Sequence, residues 1–287
     1  MAELFERLER FYDAVPRDGA HTENFGGLVL FVRDGPGWPF YARPRLDAGE
    51  PPSAADITSV RARQRAIGAP EALEWVHEVT PDLLAVARSA GLAVLEAPLL
   101  VLEPSALVTP PGVDVRFLDP AAPSFAVDVA VRRAVGAVGF GTPGTSTGTA
   151  GPTERDAAVL PVSAEELADE RRMMESGRRA SVLGYLSPSA DGSSAEDPDL
   201  EGVLASGILQ RVDDVAEIAG VATLPTARRR GLGAAVTAAL AKHALDTGVD
   251  LVFLSAGSDD IARVYARVGF QRVGTACIAT PSLFPTA

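Results

Sequence analysis

The spacing of apolar side chains changes along the chain between helical and strand periods, which predicts a protein with both kinds of element. The amino-terminal stretch MAELFERLERFYDAV carries Glu3, Glu6 and Glu9 among its apolar residues. This pattern predicts an amphipathic helix and not the unbroken apolar stretch of a secretory signal. The segments Leu28 to Arg33 and Trp38 to Pro44 flank the turn sequence DGPG, which predicts a β-hairpin.

Helix and strand patterns then alternate up to residue 102. Ser53 stands where an N-cap is expected, ahead of apolar residues at helical spacing that include Ile57 and Val60. A strand through Trp75, a helix that starts after Pro81 and the apolar strand AVLEAPLLVL follow. The predicted order of this part is strand, strand, helix, strand, helix, strand.

A cluster of prolines interrupts this pattern. The sequence EPSALVTPPG at residues 103–112 contains three prolines and a glycine, a composition typical of a connection between domains. We therefore predict a first domain over residues 1–105, a linker over 106–112 and a second domain over 113–287.

The second domain also contains apolar side chains at both helical and strand spacing. The predicted strands are 113–118, 181–186, 202–212, 215–224, 250–256 and a last strand from Gln271, and the predicted helices are 125–138, 164–176, 231–247 and 261–268. The segment GTPGTSTGTAGPT, residues 141–153, buries little apolar surface, so we expect either a mobile lid beside a cleft or a plain disordered insertion. The acidic segment of residues 187–201 is expected to form an exposed hairpin tip.

Composition narrows the classes of function. The chain has 26 basic and 38 acidic side chains, and its net charge of −12 argues against binding to nucleic acid or to an anionic membrane. The single cysteine, Cys277, excludes an intrachain disulfide and a multi-thiolate zinc site, and we predict no metal. No apolar run has the length of a membrane span, so we expect a cytoplasmic protein. Only Lys242 among the basic residues is lysine, a bias that suggests a GC-rich bacterial genome.

The segment ATLPTARRRGLGAAVTAALAKHAL has the most informative pattern. A β-rich stretch stops at a proline, three arginines follow, and a helix opens with Gly231 and Gly233 in its first turn. A helix start exposes unpaired N–H groups and a partial positive charge, and glycines let phosphate oxygens approach that backbone. The pattern fits a pyrophosphate site with Arg228, Arg229 and Arg230 as charge-assisted donors. A solvated arginine run beside a tight turn is the alternative. No GKS or GKT follows Gly231 and Gly233, and these glycines do not begin a GxGxxG sequence, which disfavours an ATPase or a dehydrogenase site here.

A second motif, SDDIARVYARVGF at residues 258–270, follows further along the chain. With both motifs in this order the sequence resembles the GNAT superfamily of acyl-CoA-dependent N-acyltransferases. The signature of that superfamily is a strand, an (R/Q)xxGx(G/A) loop, a helix, a strand and a helix that ends in YxxxGF. The matching positions are Arg228, Gly231, Gly233, Tyr265, Gly269 and Phe270. The resemblance covers roughly residues 113–280 and implies an α+β GNAT fold, a mixed twisted sheet flanked by helices, with acetyl-CoA as the cosubstrate.

The resemblance also implies a set of site residues. Glu217 lies eleven residues before Arg228, the spacing of the catalytic glutamate in the histone-acetylating members, and is the candidate general base. Tyr265 is the candidate general acid for the departing thiolate. The candidate acyl-CoA-binding residues are Val221, Ala222, Thr223, Arg228, Arg229, Arg230, Gly231, Leu232, Gly233, Ala234 and Ser258. Ser258 stands where the family often has asparagine.

Acetyl transfer to an amine needs a base, because an alkyl amine with a pKa of about 10.4 is protonated at pH 7. Strand alternation predicts that Glu217, Ala219, Val221 and Thr223 share one face, which would place the carboxylate beside the acyl end of the cosubstrate. By resemblance, backbone groups of Val221 and Thr223 pair with the acyl carbonyl and the pantetheine arm. Glu217 is otherwise an ordinary charged strand residue or an amine-binding one, and Tyr265 is otherwise a core aromatic residue.

The first domain ends in the same order of elements as the second. Aligning Gly91 with Gly269 places Ala87 where Tyr265 stands, and no RxxGxG sequence follows Pro44 in this half. The half therefore resembles a degenerate, smaller GNAT-like unit in a tandem arrangement, and a chance likeness of element order is the alternative.

The predicted activity is direct transfer of an acetyl group from acetyl-CoA to a primary amine in a ternary complex. The expected acceptor is a small molecule or a peptide amine, and the acidic balance of the chain favours a cationic one. The alternative is a non-catalytic acyl-CoA-binding sensor or interaction module. The sequence identifies neither the acceptor nor the oligomeric state.

Overall fold

A computed structural model describes residues 1–35, 37, 39–187 and 200–281. The chain divides into two compact units: the first contains Met1–Leu99 and Val273–Ala287, and the second contains Leu100–Arg272. Trp38 of the predicted hairpin and residues 188–199 of the predicted hairpin tip lie outside the described residues.

The first unit contains helices on a mostly antiparallel sheet. Its helices are α1 (Ala2–Arg17), α2 (Ala54–Ala66) and α3 (Leu83–Ser89), and its strands are β1 (Ala20–Phe25), β2 (Leu28–Arg33), β3 (Ala42–Pro44) and β4 (Leu73–Val76), with parts of β5 (Ala93–Leu102) and β11 (Phe270–Thr280). The strand order is β1-β2-β3-β4-β11, in which only the β3–β4 pair is parallel.

The sequence predicted most elements of this unit. Helix α1 is amphipathic and buries Leu8 and Phe11. Helix α2 begins with a capping box in which Ser53 and Asp56 each accept a hydrogen bond from the other's backbone N–H. Strands β2 and β3 form the predicted antiparallel hairpin. Strand β1 was not predicted, because its sequence AHTENF is mostly polar and half-exposed.

The second unit contains the remaining elements. Its strands are β6 (Val113–Phe117), β7 (Arg179–Leu186), β8 (Ala205–Val212), β9 (Val215–Thr223) and β10 (Leu251–Ser255), and its helices are α4 (Phe125–Phe140), α5 (Pro152–Ala157), α6 (Ala164–Glu175), α7 (Leu232–Asp246) and α8 (Asp259–Ala266). The order β10-β9-β8-β7-β6 is parallel at β10–β9 and antiparallel elsewhere, so the predicted α+β mixed sheet is confirmed. Across the described residues of both units, no helix combines the length and the apolar character that spanning a membrane requires.

Helices α4 and α7 cover opposite faces of this sheet. The Ser206 hydroxyl of β8 donates a hydrogen bond to the Arg132 carbonyl of α4 at 3.3 Å. A Cβ atom on the next residue, Gly207, would lie 2.7 Å from Val236 Cγ1 of α7. Because successive residues of a strand point to opposite faces, one face belongs to α4 and the other to α7.

The division between the units falls within β5 and β11, and not at the predicted linker. The backbone N–H of Glu103 donates to the Gly269 carbonyl at 3.0 Å, and that of Val108 donates to the Val268 carbonyl at 3.0 Å. These bonds attach the end of the predicted first domain and the start of the predicted linker to the second unit. The end of β11 instead pairs with β4, where Cys277 lies opposite Trp75 in the first unit.

Candidate functional site

The turn between β9 and α7 has an unusual backbone. A short 3-10 segment, Pro225–Ala227, follows β9, and α7 begins at Leu232. Arg229 and Gly231 both adopt left-handed conformations, with φ of 65° and 83°. Glycine adopts this conformation readily, whereas it costs an arginine roughly 1–2 kcal/mol. Strain of this kind in a loop is typical of functional sites.

The first turn of α7 is open to a ligand. The first intrahelical bond of this turn runs from the Ala235 N–H to the Gly231 carbonyl at 2.9 Å, so the N–H groups of residues 232–234 precede it. A Cβ on Gly231 would have only Pro110 Cβ near it, at 4.0 Å, and one on Gly233 would lie 3.5 Å from Thr223 Oγ1. The backbone donors therefore stand where an anion can approach them, and the helix dipole favours a negative charge there.

The three arginines of the turn differ in their surroundings. The side chains of Arg229 and Arg230 are exposed, and neither has a hydrogen-bond or ion-pair partner among the described residues. Arg228 is partly buried, and this burial lowers the pKa of its guanidinium. Its N–H groups donate to the carbonyls of Thr223 (3.4 Å), Gly139 (2.7 Å), Thr142 (2.6 Å) and Ser146 (3.0 Å).

Residues 141–153, which we call the Gly/Thr segment, pack against this turn. The Gly148 N–H donates to the Pro225 carbonyl at 3.1 Å, and the Thr226 N–H donates to the Ala150 carbonyl at 3.1 Å. Helix α5 begins at Pro152 and ends the segment. The alternative of a plain disordered insertion is therefore wrong, because backbone and guanidinium hydrogen bonds hold the segment beside the turn. The mobile lid stays a prediction.

A β-bulge interrupts β9 between Glu217 and the turn. Ala222 lies opposite Ser206 and Ala219 lies opposite Ile208, so Gly220 and Val221 together face one residue of β8. Gly220 has the left-handed φ of 60° that such bulges use. One extra residue reverses which face the following side chains occupy.

The bulge places Glu217 on a different face from the end of the strand. Residues directly opposite each other in an antiparallel pair have their side chains on the same face of the sheet. Glu217 lies opposite Gln210 of β8. Gln210 is four residues after Ser206 in the same strand, so both lie on the α4 face. Val221 and Thr223 lie near Gly233 on the α7 face. The prediction that Glu217, Ala219, Val221 and Thr223 share one face is therefore wrong.

Strands β9 and β10 separate beside Glu217. Their parallel pairing includes Leu251 with Val215, Val252 with Ala216 and Phe253 with Glu217. Beyond that last pair both strands continue, β9 as far as Thr223, and these described residues form no further pair with each other. Beyond Glu217, β9 therefore has no β10 partner along this edge among the described residues, and we call this gap the opening.

Tyr265 lies in α8 and is 8% exposed. Its ring packs edge-on against Phe270 with 6.4 Å between ring centres, and it belongs to the same apolar cluster as Leu232. Burial raises the pKa of Tyr265 to about 12, so its hydroxyl is neutral at pH 7 and can donate a hydrogen bond. The Ser258 hydroxyl accepts a hydrogen bond from the Ile261 N–H at 3.3 Å and caps α8.

The glycine of the YxxxGF motif also has a packing role. Gly269 has a φ of 118°, and a Cβ there would lie 2.6 Å from the Ala106 carbonyl oxygen. Only glycine fits this backbone and this approach. The residue therefore fixes the segment that enters the second unit.

Comparisons with known proteins match this architecture. A family model described as FR47-like protein matches residues 199–278, the part that contains the turn, the opening and α8. The solved structure of a GCN5-related N-acetyltransferase from Kribbella flavida is 24% identical with a TM-score of 0.63, over 96% of this chain and 95% of that chain. No curated protein sequence matches the chain.

Two further solved structures share the fold at lower identity. A GCN5-related N-acetyltransferase from Sphaerobacter thermophilus is 14% identical with a TM-score of 0.52, over 96% of this chain and 84% of that chain. A GCN5-related N-acetyltransferase-like protein from Streptococcus suis is 13% identical with a TM-score of 0.51, over 98% and 99%. The predicted GNAT fold is therefore confirmed, and the likeness includes both compact units.

Proposed function

We propose that this protein transfers an acetyl group from acetyl-CoA to a primary amine, by direct attack of the amine on the thioester in a ternary complex. The observation that carries this proposal is the opening between β9 and β10, because it continues directly into the anion-binding turn before α7. A long substrate with a diphosphate at one end and a thioester at the other fits a site of this form.

The donor would be held mainly by the backbone. The N–H groups of residues 232–234 and the side chains of Arg229 and Arg230 would bind the diphosphate of acetyl-CoA. The pantetheine arm would pair with the free edge of β9 near Val221 and Thr223, as an added strand does. Glycine at positions 231 and 233 keeps side chains out of this path.

The acceptor would approach from the α4 face, where Glu217 lies. The amine is protonated at neutral pH, so the Glu217 carboxylate would accept a proton from it, directly or through water. The amine nitrogen then bonds to the thioester carbon as the carbon–sulfur bond breaks, and it loses a second proton to solvent, which in turn restores the proton that Tyr265 gives to the sulfur. A backbone N–H of β9 would stabilise the charge on the carbonyl oxygen, and the Tyr265 hydroxyl would return a proton to the thiolate sulfur.

The proposed acceptor is a small-molecule or peptide amine. A net charge of −12 attracts cations, which favours an acceptor with a positive charge.

The test is acetyl transfer by the purified full chain. Acetyl-CoA is incubated with a panel of amines, free thiol is followed over time, and acetylated product is identified by mass spectrometry. We expect thiol release that depends on one or more of the amines. Coenzyme A binding without release across the panel would instead support a binding module, and an absence of coenzyme A binding would refute the proposal.

The variant Glu217→Gln tests the base. Its rate should fall by about 100-fold with a suitable amine, most strongly below neutral pH where fewer amines are neutral, while coenzyme A affinity stays the same. Glu175→Gln is the matched control, because Glu175 is exposed at the end of α6. Equal rates for Glu217→Gln and the control would show that Glu217 is not the base.

A further inference from the structure

We infer that Arg228 is a positioning residue, which fixes the Gly/Thr segment beside the diphosphate site and does not bind phosphate itself. The identity of the ligand rests on the proposed function. The contacts of Arg228 do not, and they can be tested with no ligand present.

The donors of Arg228 are almost all occupied. A guanidinium has five N–H groups, and four of them donate to backbone carbonyls in this structure. The acceptors come from three parts of the second unit: Thr223 at the end of β9, Gly139 in the last turn of α4, and Thr142 and Ser146 in the Gly/Thr segment. One side chain therefore ties the strand, the helix and the segment together.

The charge of Arg228 also has a partner that is not a phosphate. The end of α4 carries the partial negative charge of the helix dipole, and the Gly139 carbonyl accepts at 2.7 Å there. Only one N–H of Arg228 remains, so a phosphate that made the two-pronged contact typical of arginine would have to displace a carbonyl from a partly buried group. Arg229 and Arg230 are exposed and supply positive charge without that cost.

The composition of the Gly/Thr segment fits the same role. A Cβ on Gly148 would lie 3.0 Å from Pro225 Cβ, and one on Gly151 would lie 2.8 Å from Thr226 Oγ1. These glycines allow the segment to approach the residues that lead into the anion-binding turn. The segment thus forms a fixed wall of the turn, and Arg228 is its main side-chain anchor.

Two variants test whether Arg228 is a clamp, meaning a residue that holds the Gly/Thr segment in position, or a phosphate ligand. Arg228→Lys keeps the charge but loses the fork of donors, and Arg228→Met loses both. If Arg228 is a clamp, both variants should raise amide hydrogen exchange in residues 141–153 by about tenfold or more without ligand. Arg228→Met loses both hydrogen bonds to the segment, and the single ammonium of Arg228→Lys cannot replace the fork that makes them. Both should also weaken coenzyme A binding by about tenfold in calorimetry, with an unchanged dependence on salt.

Arg230→Met is the matched control for charge. It should leave the exchange of residues 141–153 unchanged, weaken coenzyme A binding, and make that binding less dependent on salt, because an exposed charge is screened. The variant Gly151→Ala tests the wall independently, since it disturbs the segment while Arg228 remains. It should weaken coenzyme A binding as Arg228→Lys does.

Three results would overturn the inference. The first is wild-type coenzyme A affinity in Arg228→Lys combined with weak binding in Arg228→Met, which is the behaviour of a phosphate ligand. The second is unchanged exchange of residues 141–153 in both variants. The third is faster exchange in Gly151→Ala with unchanged coenzyme A affinity. If the wild-type chain does not bind coenzyme A, the proposed function fails, and the exchange measurement still decides whether Arg228 is a clamp.

Discussion

Replacing Gly231 by alanine separates the backbone strain of the turn from its role in binding. Gly231 and Gly248 lie at opposite ends of α7 and have φ of 83° and 89°. A Cβ on Gly248 would meet nothing within 4 Å, and one on Gly231 would meet only Pro110 Cβ at 4.0 Å. Each substitution should therefore lower the free energy of unfolding by roughly 1–2 kcal/mol, because alanine disfavours the left-handed conformation. The melting temperature should fall by about 2–4 °C per kcal/mol in each variant.

Only Gly231→Ala should weaken binding of a diphosphate. Its methyl group would project beside the exposed N–H groups, and a charge-assisted hydrogen bond contributes about 1.5–3 kcal/mol. Loss of one such bond raises the dissociation constant of coenzyme A by about 10- to 100-fold. Calorimetry with coenzyme A and with pantetheine, which lacks the diphosphate, measures the difference. The reasoning is refuted if Gly231→Ala and Gly248→Ala have the same coenzyme A affinity at equal loss of stability.

Three other substitutions test the site and the fold. Tyr265→Phe should lower the rate of acetyl transfer by about 100-fold with little change in the KM for acetyl-CoA, as measured by steady-state thiol release, if the hydroxyl protonates the thiolate. The hydrogen bonds from Arg133 and Ser163 lower the pKa of Glu166 from 4.5 to about 2, so this carboxylate stabilises the fold above about pH 4.5 and the contribution is lost as the pH falls toward 2. Urea unfolding at pH 7 and pH 3 should therefore show a smaller pH dependence for Glu166→Gln than for the wild type. Gly269→Ala should lower the free energy of unfolding, measured in urea, by roughly 3 kcal/mol or more. Its Cβ would lie 2.6 Å from a carbonyl oxygen, and its backbone has a φ of 118°.

Local signals in the sequence predicted the elements around the site well. The order of strand, arginines, glycines and helix correctly indicated the turn at the start of α7, because this turn depends on residues that are adjacent in the chain. The spacing from the turn to Tyr265 depends on two intervening elements of ordinary length, which hydrophobic periodicity also predicts. The bounds of α7 and β10 accordingly differ little from those that the sequence indicated.

The face of Glu217 was missed although the sequence held a signal for it. Gly220 is an isolated glycine within a strand, a position that often marks a bulge. Strict alternation from Glu217 to Thr223 ignores that signal and places the carboxylate on the α7 face. The observed register places it on the α4 face.

Pairings between distant parts of the chain could not be predicted from one sequence. Nothing local indicates that the Arg228 side chain donates to the Gly139 carbonyl, or that the Gly/Thr segment packs on Thr226. The membership of β11 in the first unit also depends on a partner strand, β4, slightly more than two hundred residues earlier. These features are set by tertiary packing, which periodicity and turn signals do not encode.

The place of β11 has a consequence for the order in which the chain is able to fold during translation. The core of the first unit contains Cys277 and Ala279 together with Leu73 and Trp75. A ribosome releases β4 long before it releases β11, so the growing chain carries an unpaired β4 edge until β11 has emerged. The core of the first unit therefore depends for its final stability on residues made about two hundred positions later. A premature stop ahead of β11 would be expected to expose that edge and to favour aggregation of the polypeptide.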